Sequence, residues 1–179
     1  MFVAYFGGFK PPHKGHLAVV QEYLSMPSVE TVYIVYGDKN RLSTDGKVIL
    51  NSSHTRKVWE LFISTLGQPN RVKLIKAIGN TFVAAAKLAW IDETAGSTIT
   101  AGYGAKEPVY GQRFVNIIQS LSKEMGSPLA KPIMVPTQSN EPSVSSTLIR
   151  KALSTKDLTY LSGVVPTGVS CEDYIDILK

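Results

Sequence analysis

The feature that most constrains the fold of this chain is a regular alternation of short β-branched runs with longer segments of helical periodicity. The runs predict strands at residues 3–6, 31–36, 72–77, 97–101 and 132–136. The segments between and after them repeat apolar residues at steps of three and four, which predicts helices at 16–25, 53–66, 81–93, 110–125 and 145–154. Strands and helices that alternate in this way are joined by right-handed crossovers. We therefore predict an α/β fold, a doubly wound parallel five-stranded sheet with helices on both faces.

The C-terminal part of the chain predicts a helical appendage to this fold. Glycine and proline residues between positions 163 and 168 divide it into two short pieces. In the second piece, Tyr174, Ile175 and Leu178 have the spacing of a docked amphipathic helix. We expect one domain over residues 1–155, with residues 156–179 packed on that same domain.

Composition limits the class of protein. Of the 179 residues 44% are apolar, enough to bury a sizeable core, and no apolar run reaches the roughly 18 to 20 residues that span a bilayer. Residues 1–6 lack the basic segment and cleavage site of a signal peptide and are typical of a first strand. The single cysteine, Cys171, has no partner for an intramolecular disulfide. We therefore expect no membrane association and a cytoplasmic location.

The net charge of +5, from 19 Lys and Arg against 14 Asp and Glu, allows two kinds of anionic partner. One is nucleic acid and the other is a small polyanion such as a nucleotide. The basic residues are dispersed, and no aromatic-interleaved basic stripe occurs. This dispersion favours a nucleotide pocket over a nucleic-acid groove.

Residues 7–16 read Gly-Gly-Phe-Lys-Pro-Pro-His-Lys-Gly-His and follow the first predicted strand. Gly7 and Gly8 permit a tight turn and the approach of a phosphate to backbone amides. Pro11 and Pro12 stiffen the loop and remove two amide donors. We interpret the segment as an anion-binding turn at the start of a helix.

Two histidines give this turn its chemical character. His13 and His16 lie on either side of Gly15, where free helix-terminal N–H groups and the positive end of the helix dipole also lie. Lys10 and Lys14 add positive charge at the same place. Either histidine alone is explained by helix capping or core packing, but the pair at this spacing indicates phosphate binding.

A second group lies about 130 residues downstream, at Ser145-Ser146-Thr147-Leu148-Ile149-Arg150. A hydroxyl before a helical run is an ordinary N-cap, but one hydroxyl is enough for a cap and three stand here in a row. Arg150 follows Thr147 by three residues, so both face the same side of the first turn. A helix N-terminus with hydroxyls and a guanidinium is suited to bind triphosphate oxygens.

Together, Gly-Phe-x-Pro-x-His-x-Gly-His and Ser-Ser-Thr-x-Ile-Arg resemble the signatures of the HIGH-motif nucleotidyltransferase (cytidylyltransferase-like) superfamily, whose fold is Rossmann-like. Residues 9–16 are most similar to the nicotinamide-mononucleotide adenylyltransferase branch, and Gly-Gly-Phe-Lys-Pro-Pro-His resembles short cytidylyltransferase-like proteins of large tailed phages. The resemblance covers roughly residues 1–155 by motif order. If the chain is phage-encoded, its location would be the host cytoplasm.

The resemblance implies a role for each matching residue. His13, His16, Lys14 and Arg150 would be catalytic, with His16 nearest the α-phosphate and Arg150 on the departing pyrophosphate. The other motif residues would bind the nucleotide and its phosphates, namely Gly7, Gly8, Phe9, Lys10, Gly15, Ser145, Ser146 and Thr147. Arg56 stands where related enzymes often have a basic residue that binds the acceptor, although an exposed helix face explains it equally.

Three departures from the family pattern bear on substrate choice. Lys10 stands where many members have Asp, Asn or Gln, and Gly8 where many have Ser, Thr or Arg. The segment that begins at Gly102 lacks the aspartate of the family's Gly-x-Asp turn, and Glu107 is a candidate to replace it. We assign Gly102 and Glu107 to the acceptor side as weak candidates. These departures leave ATP and CTP both open, with ATP favoured.

The reaction implied by the resemblance is direct nucleotidyl transfer from a nucleoside triphosphate to a small phosphorylated acceptor such as nicotinamide mononucleotide. We expect Mg²⁺ to bind through the triphosphate, and no protein metal site. The alternatives are a CTP-dependent transferase acting on a phosphorylated alcohol and an inert relative that binds a nucleotide or nucleic acid. A class I aminoacyl-tRNA synthetase shares the histidine signature, but the chain is short and has no Lys-Met-Ser-Lys-Ser motif. The oligomeric state stays open, a homo-oligomer included.

Overall fold

The computed structural model describes residues 1–94, 99–104, 108–125, 134–137 and 144–179, and it is built around a parallel sheet. In chain order the strands are β1 (Phe2–Gly7), β2 (Thr31–Gly37), β3 (Arg41–Leu42), β4 (Ile49–Leu50), β5 (Val72–Ala77), β6 (Ile99–Gly104) and β7 (Met134–Thr137). The helices are α1 (Lys14–Ser25), α2 (Ser52–Ile63), α3 (Thr81–Thr94), α4 (Pro108–Met125), α5 (Ser146–Thr155), α6 (Leu158–Val164) and α7 (Cys171–Leu178). A short 3₁₀ turn at Pro69–Arg71 precedes β5.

The main sheet has the order β5-β2-β1-β6-β7, and all its neighbouring strands are parallel. From β1 the chain moves outward through β2 and β5, then returns to the other side of β1 for β6 and β7. The order therefore reverses between β1 and β6. In open α/β sheets ligands bind at the carboxyl ends of the strands beside such a reversal. The predicted α/β fold with a doubly wound parallel sheet is confirmed.

Side-chain alternation along the central strands divides the core into two parts. In β1, Val3 and Tyr5 belong to the larger part, while Ala4 and Phe6 belong to the smaller. The larger part includes side chains of α1, α2 and the three C-terminal helices, and the smaller includes side chains of α3 and α4. Successive strand residues point to opposite faces, so both faces of β1 are covered by helices.

Most element boundaries agree with the sequence prediction to within three residues, but two expectations were wrong. Gly67 follows the helix predicted at 53–66, a position that predicts a C-terminal cap, but it does not cap α2. The helix ends at Ile63, the chain beyond it forms bonds from Thr65 to Phe62 and from Leu66 to Ile63, and Gly67 has no positive φ. Gly102 does not lie in a loop after the fourth strand. It lies within β6, where pairing with β1 and β7 on both sides overrides the low strand propensity of glycine.

Residues 37–52 follow the second predicted strand, so the sequence predicts a loop at the ligand-binding edge of the sheet, but this segment contains structure that the sequence did not indicate. The two-residue strands β3 and β4 pair antiparallel within it, with Arg41 opposite Leu50 and Leu42 opposite Ile49. Strands this short have no apolar alternation for a sequence pattern to detect.

The last two helices, α6 and α7, contribute to the larger part of the core. Leu161 and Val164 of α6 and Tyr174 and Leu178 of α7 are buried in the same cluster as Val3 and Val32 of the sheet. Within the described ranges, no helix has the length and apolar character needed to span a membrane.

Candidate functional site

The loop that follows β1 is shaped by close packing of its own side chains. Phe9 has a left-handed backbone (φ 47°), and its ring is buried against Tyr5, His16 and Trp59. A Cβ at Gly7 would lie 2.9 Å from that ring, so glycine is required there for the ring to pack. The side chain of Phe9, expected to bind nucleotide, is therefore a core side chain, because burial among aromatic rings leaves it no access to a ligand.

The carbonyl groups of this loop are held by other parts of the chain. Four successive carbonyls, from residue 9 to residue 12, each accept a hydrogen bond from a side chain on one of three helices. The donors are Thr55 to Phe9 (3.0 Å), Arg150 to Lys10 (2.6 Å), Ser146 to Pro11 (3.0 Å) and Tyr174 to Pro12 (2.8 Å). We call these four contacts the loop clamp. It orders a backbone whose two prolines donate no bonds of their own.

His13 and His16 are brought together at the start of α1. Their rings stack with centroids 3.7 Å apart and planes at 24°, and a Cβ at Gly15 would lie only 3.3 Å from the His13 ring. The backbone N–H of His13 donates to His16 Nδ1 at 3.3 Å. His16 Nδ1 is thus an acceptor, which leaves Nε2 to carry the proton of the neutral ring.

Both imidazoles are neutral at physiological pH. Burial lowers the pKa of His13 to about 4. The pKa of His16 lies well below its usual value because of burial and, secondly, because of the neighbouring His13. His13 Nδ1 is buried and has no hydrogen-bond partner within the described part of the chain. The pair can therefore serve as neutral hydrogen-bond donors and acceptors at the site.

The second sequence motif contacts the first. Ser145 caps α5 by accepting a bond from the Thr147 N–H at 3.2 Å. Arg150 donates to three oxygens: the carbonyls of Lys10 and Leu42, at 2.6 and 3.0 Å, and Thr147 Oγ1 at 3.1 Å. The guanidinium has five N–H donors, and the described residues accept from three of them, which leaves two that a ligand could use. Arg150 and Ser146, expected on the triphosphate, thus also hold the loop and the β3–β4 hairpin.

The remaining sequence candidates lie in different surroundings. Lys14 begins α1 and is half-buried. Arg56 is exposed on α2 and pairs with Glu60, with 2.7 Å between Nε and Oε1, which supports the alternative of a solvated helix face. Glu107 lies outside the described residues, as do residues 138–143 of the loop predicted at 137–145.

A cleft of about 640 Å³ opens at the carboxyl ends of β1, β2 and β5. The N-terminal turn of α3 and one side of α4 complete it. It is lined by Gly8, Lys10, Gly37, Lys39, Arg41, Gly79, Asn80, Thr81, Phe82, Arg113, Asn116 and Ile117. At Gly8 an added Cβ would meet nothing within 4 Å, so the backbone there is open to a ligand.

Lys10 belongs to this cleft as well as to the loop. Its side chain is 3% exposed, and its ammonium donates to the Gly37 carbonyl at 2.7 Å. Its pKa is lowered to about 8, mainly by burial and then by Arg41, while Asp38 raises it and Lys76 lowers it. Sequence reasoning had not singled out Lys39, Arg41 or Arg113. The first two follow β2 directly, so their place at the carboxyl edge was available as a signal, whereas Arg113 reaches the cleft only through the packing of α4.

The sheet order, with its reversal between β1 and β6, defines a Rossmann-like fold, and solved structures of similar fold are found. Plasmodium falciparum nicotinic acid mononucleotide adenylyltransferase complexed with NaAD has this fold, with a TM-score of 0.62 at 16% identity over 98% of this chain and 94% of that one. Its complex with APC gives 0.64 at 14% identity with the same coverage.

A bifunctional NMN adenylyltransferase/ADP ribose pyrophosphatase from Francisella tularensis, complexed with AMP and a Mn ion, gives a TM-score of 0.55 at 13% identity. It matches over 99% of this chain, which spans about half of that one (51%). No family model and no curated protein matches the chain. Because the sequence identities lie between 13% and 16%, the structural similarity establishes the fold alone.

Proposed function

We propose that this chain is a nucleotidyltransferase that moves AMP from ATP onto a small phosphorylated acceptor such as nicotinamide mononucleotide and releases pyrophosphate. The observation that carries the proposal is the contact between the two motifs. Arg150 and Ser146 bind the carbonyls of Lys10 and Pro11, so the N-terminus of α5 and the histidine pair of α1 flank one loop. The free N–H groups and positive dipole ends of two neighbouring helix N-termini favour the binding of a polyanion.

In the proposed reaction an acceptor phosphate oxygen attacks the α-phosphorus in line. The bond from the α-phosphorus to the bridging oxygen breaks, and the electron pair leaves with pyrophosphate. The acceptor supplies its own nucleophile, so the protein contributes position and charge stabilisation. His16 would donate from Nε2 to the α-phosphate, with His13 beside it. Lys14 and the two free donors of Arg150 would bind the leaving group, and Thr147, whose side chain is exposed, would add a hydroxyl.

The cleft supports an acceptor site next to this phosphate site, because Lys10 and Gly8 lie in both the loop and the cleft. ATP is favoured over CTP because the similar solved structures carry adenine-containing ligands such as AMP. Mg²⁺ would be expected to bind through the triphosphate. The donors around the loop are cationic or neutral, so the ion would be held by phosphate oxygens and water and would neutralise charge on the triphosphate.

The decisive experiment measures pyrophosphate release from the purified chain with ATP or CTP, Mg²⁺ and a panel of phosphorylated acceptors. Release that requires both ATP and an acceptor would support the proposal. Release with CTP alone would favour the cytidylyltransferase alternative. A protein that binds the triphosphate in calorimetry but releases no pyrophosphate with any acceptor would be a binding module, and the proposal would be wrong.

A further inference from the structure

The charge of the cleft is one-sided. Within the described part of the chain four of its lining residues are cationic, namely Lys10, Lys39, Arg41 and Arg113, and none is acidic. None of the four forms an ion pair with a described carboxylate. The carboxylate nearest in sequence, Asp38, accepts a hydrogen bond from the Gly79 N–H at 3.2 Å instead. Among the described residues the cleft therefore has an excess of positive charge, which Asp38 offsets only in part through its attraction for Lys10.

Lys10 is the most unusual of these cations because it is buried. An ammonium has three donors, and within the described residues one of them is used, on the Gly37 carbonyl. Removing an unpaired cation from water is costly unless an anion compensates it. The lowered pKa of Lys10 expresses this same cost, because burial is its largest cause. A lysine kept in this position is explained if the natural ligand brings an anion to it.

A single phosphate does not match the charge of the cleft. A phosphate monoester carries about −1.5 to −2 charges near neutral pH, so two cations neutralise it. Arg41 lines the cleft, and the next residue, Leu42, accepts a hydrogen bond from Arg150 at 3.0 Å, so Arg41 lies between the cleft and the start of α5. Arg41 is thus suited to the reacting phosphate of the acceptor, and Lys10 remains for another group.

We propose that the acceptor carries a second anionic group, a carboxylate or a further phosphate, besides the phosphate that attacks, and that the Lys10 ammonium binds it. The inference rests on the proposed function, since it names the class of acceptor for that site. The cleft volume of about 640 Å³ lies within the roughly 300 to 1,000 Å³ typical of small-molecule sites. Phe82 and Ile117 supply an apolar wall for the uncharged part of such a molecule.

The test uses pairs of probes that differ by one negative charge. Glycerol 3-phosphate is compared with 3-phosphoglycerate, and nicotinamide mononucleotide with nicotinic acid mononucleotide. Binding to the full chain is measured by titration calorimetry without nucleoside triphosphate. We expect the doubly anionic member of a pair to bind about tenfold more tightly, as a charge-assisted hydrogen bond typically provides. Lys10→Met should reduce that preference to about twofold and leave the affinity of the other member within threefold.

Lys179→Met, which removes an exposed lysine at the far end of α7, is the matched control and should keep the preference. If Lys10→Met does not fold, Lys10→Gln replaces it, because an amide can still donate to the Gly37 carbonyl. Any of three results would overturn the inference. They are an equal affinity of the wild type for both members of a pair, a preference that is unchanged in the variant at position 10, and no binding of any probe. A clear preference without pyrophosphate release would instead refute the proposed function and leave an anion site at Lys10.

Discussion

The Tyr174 hydroxyl donates a hydrogen bond of 2.8 Å to the Pro12 carbonyl, which joins residues 162 positions apart. The Tyr174 ring is fully buried and stacks on Phe62 of α2. Pro12 directly precedes His13, the N-cap of α1. The last helix of the described chain therefore helps to set the position at which the histidine pair begins.

Tyr174→Phe should keep the packing of the ring and remove only this bond. The buried Pro12 carbonyl would lose its donor, so we expect the free energy of unfolding to fall by about 1 to 3 kcal/mol. The activity should fall through the turnover number more than through the KM of the acceptor, because the cleft is unchanged. Urea unfolding and steady-state kinetics measure the two effects. Tyr160→Phe is the control, and equal behaviour of both variants would argue against a positioning role.

His16→Ala should lower turnover by on the order of 100-fold or more, as the loss of one preorganised donor typically does. Binding of the nucleoside triphosphate should weaken less. His54→Ala is a matched control, because His54 Nδ1 accepts a bond from the Asn51 N–H at 3.0 Å at the start of α2, as His16 does at α1. A turnover number for His16→Ala within threefold of wild type would contradict the assignment.

Arg150→Lys tests shape rather than charge. The ammonium keeps the positive charge but cannot reproduce three planar donors directed at Lys10, Leu42 and Thr147. We expect kcat/KM to fall by about 10- to 100-fold, since the loop and the β3–β4 hairpin both lose a contact. Lys151→Arg, one residue further along α5, makes the reverse exchange on an exposed side chain and should change nothing. Wild-type kinetics in Arg150→Lys would show that charge alone suffices.

The buried histidines predict a loss of stability in acid. The pKa of His13 is about 4 in the folded chain and about 6.5 when unfolded. The unfolded chain therefore binds more protons between these values, so the free energy of unfolding decreases as the pH is lowered from 6.5 towards 4. For His13 the loss reaches about 3 kcal/mol.

Urea unfolding at several pH values between about 7 and 4.5 measures this loss. His13→Asn, which keeps a good N-cap residue, should flatten the pH dependence even if it changes the stability at neutral pH. His54→Asn should leave most of it in place, because His54 is less buried. A slope in His13→Asn as steep as in the wild type would refute the assignment to His13.

Periodicity predicted the architecture because each main strand and helix has a buried face, and the spacing of its apolar residues identifies that face. The strand at 72–77 was placed without error, and α3 and α5 within one residue at each end. Position alone predicted which loops reach the carboxyl edge. What the pattern could not provide was the direction of individual side chains. Phe9 occupies a motif position but points into the core, which depends on its left-handed backbone and on the space left by Gly7.

The site shows the same division between pattern and packing. Motif spacing predicted that His13 and His16 would lie together, and the family resemblance implied that the start of α5 would join them. It did not predict that Ser146 and Arg150 would bind loop carbonyls, because a backbone acceptor has no signature in the sequence. Lys10 departs from the residue that many family members have at this position, and the sequence shows this departure. Its contact with the end of β2 could not be predicted, because it depends on how the loop folds around residue 37.

The loop clamp has a consequence for how the site forms during synthesis. Its four donors stand at positions 55, 146, 150 and 174, while the carbonyls they bind lie within residues 9–12. A ribosome therefore makes the loop first, and its last contact emerges more than 160 residues later. Until then the nascent chain has His13 and His16 but not the complete set of contacts that supports the loop before them. The loop clamp is thus completed late in synthesis, when residue 174 has left the exit tunnel.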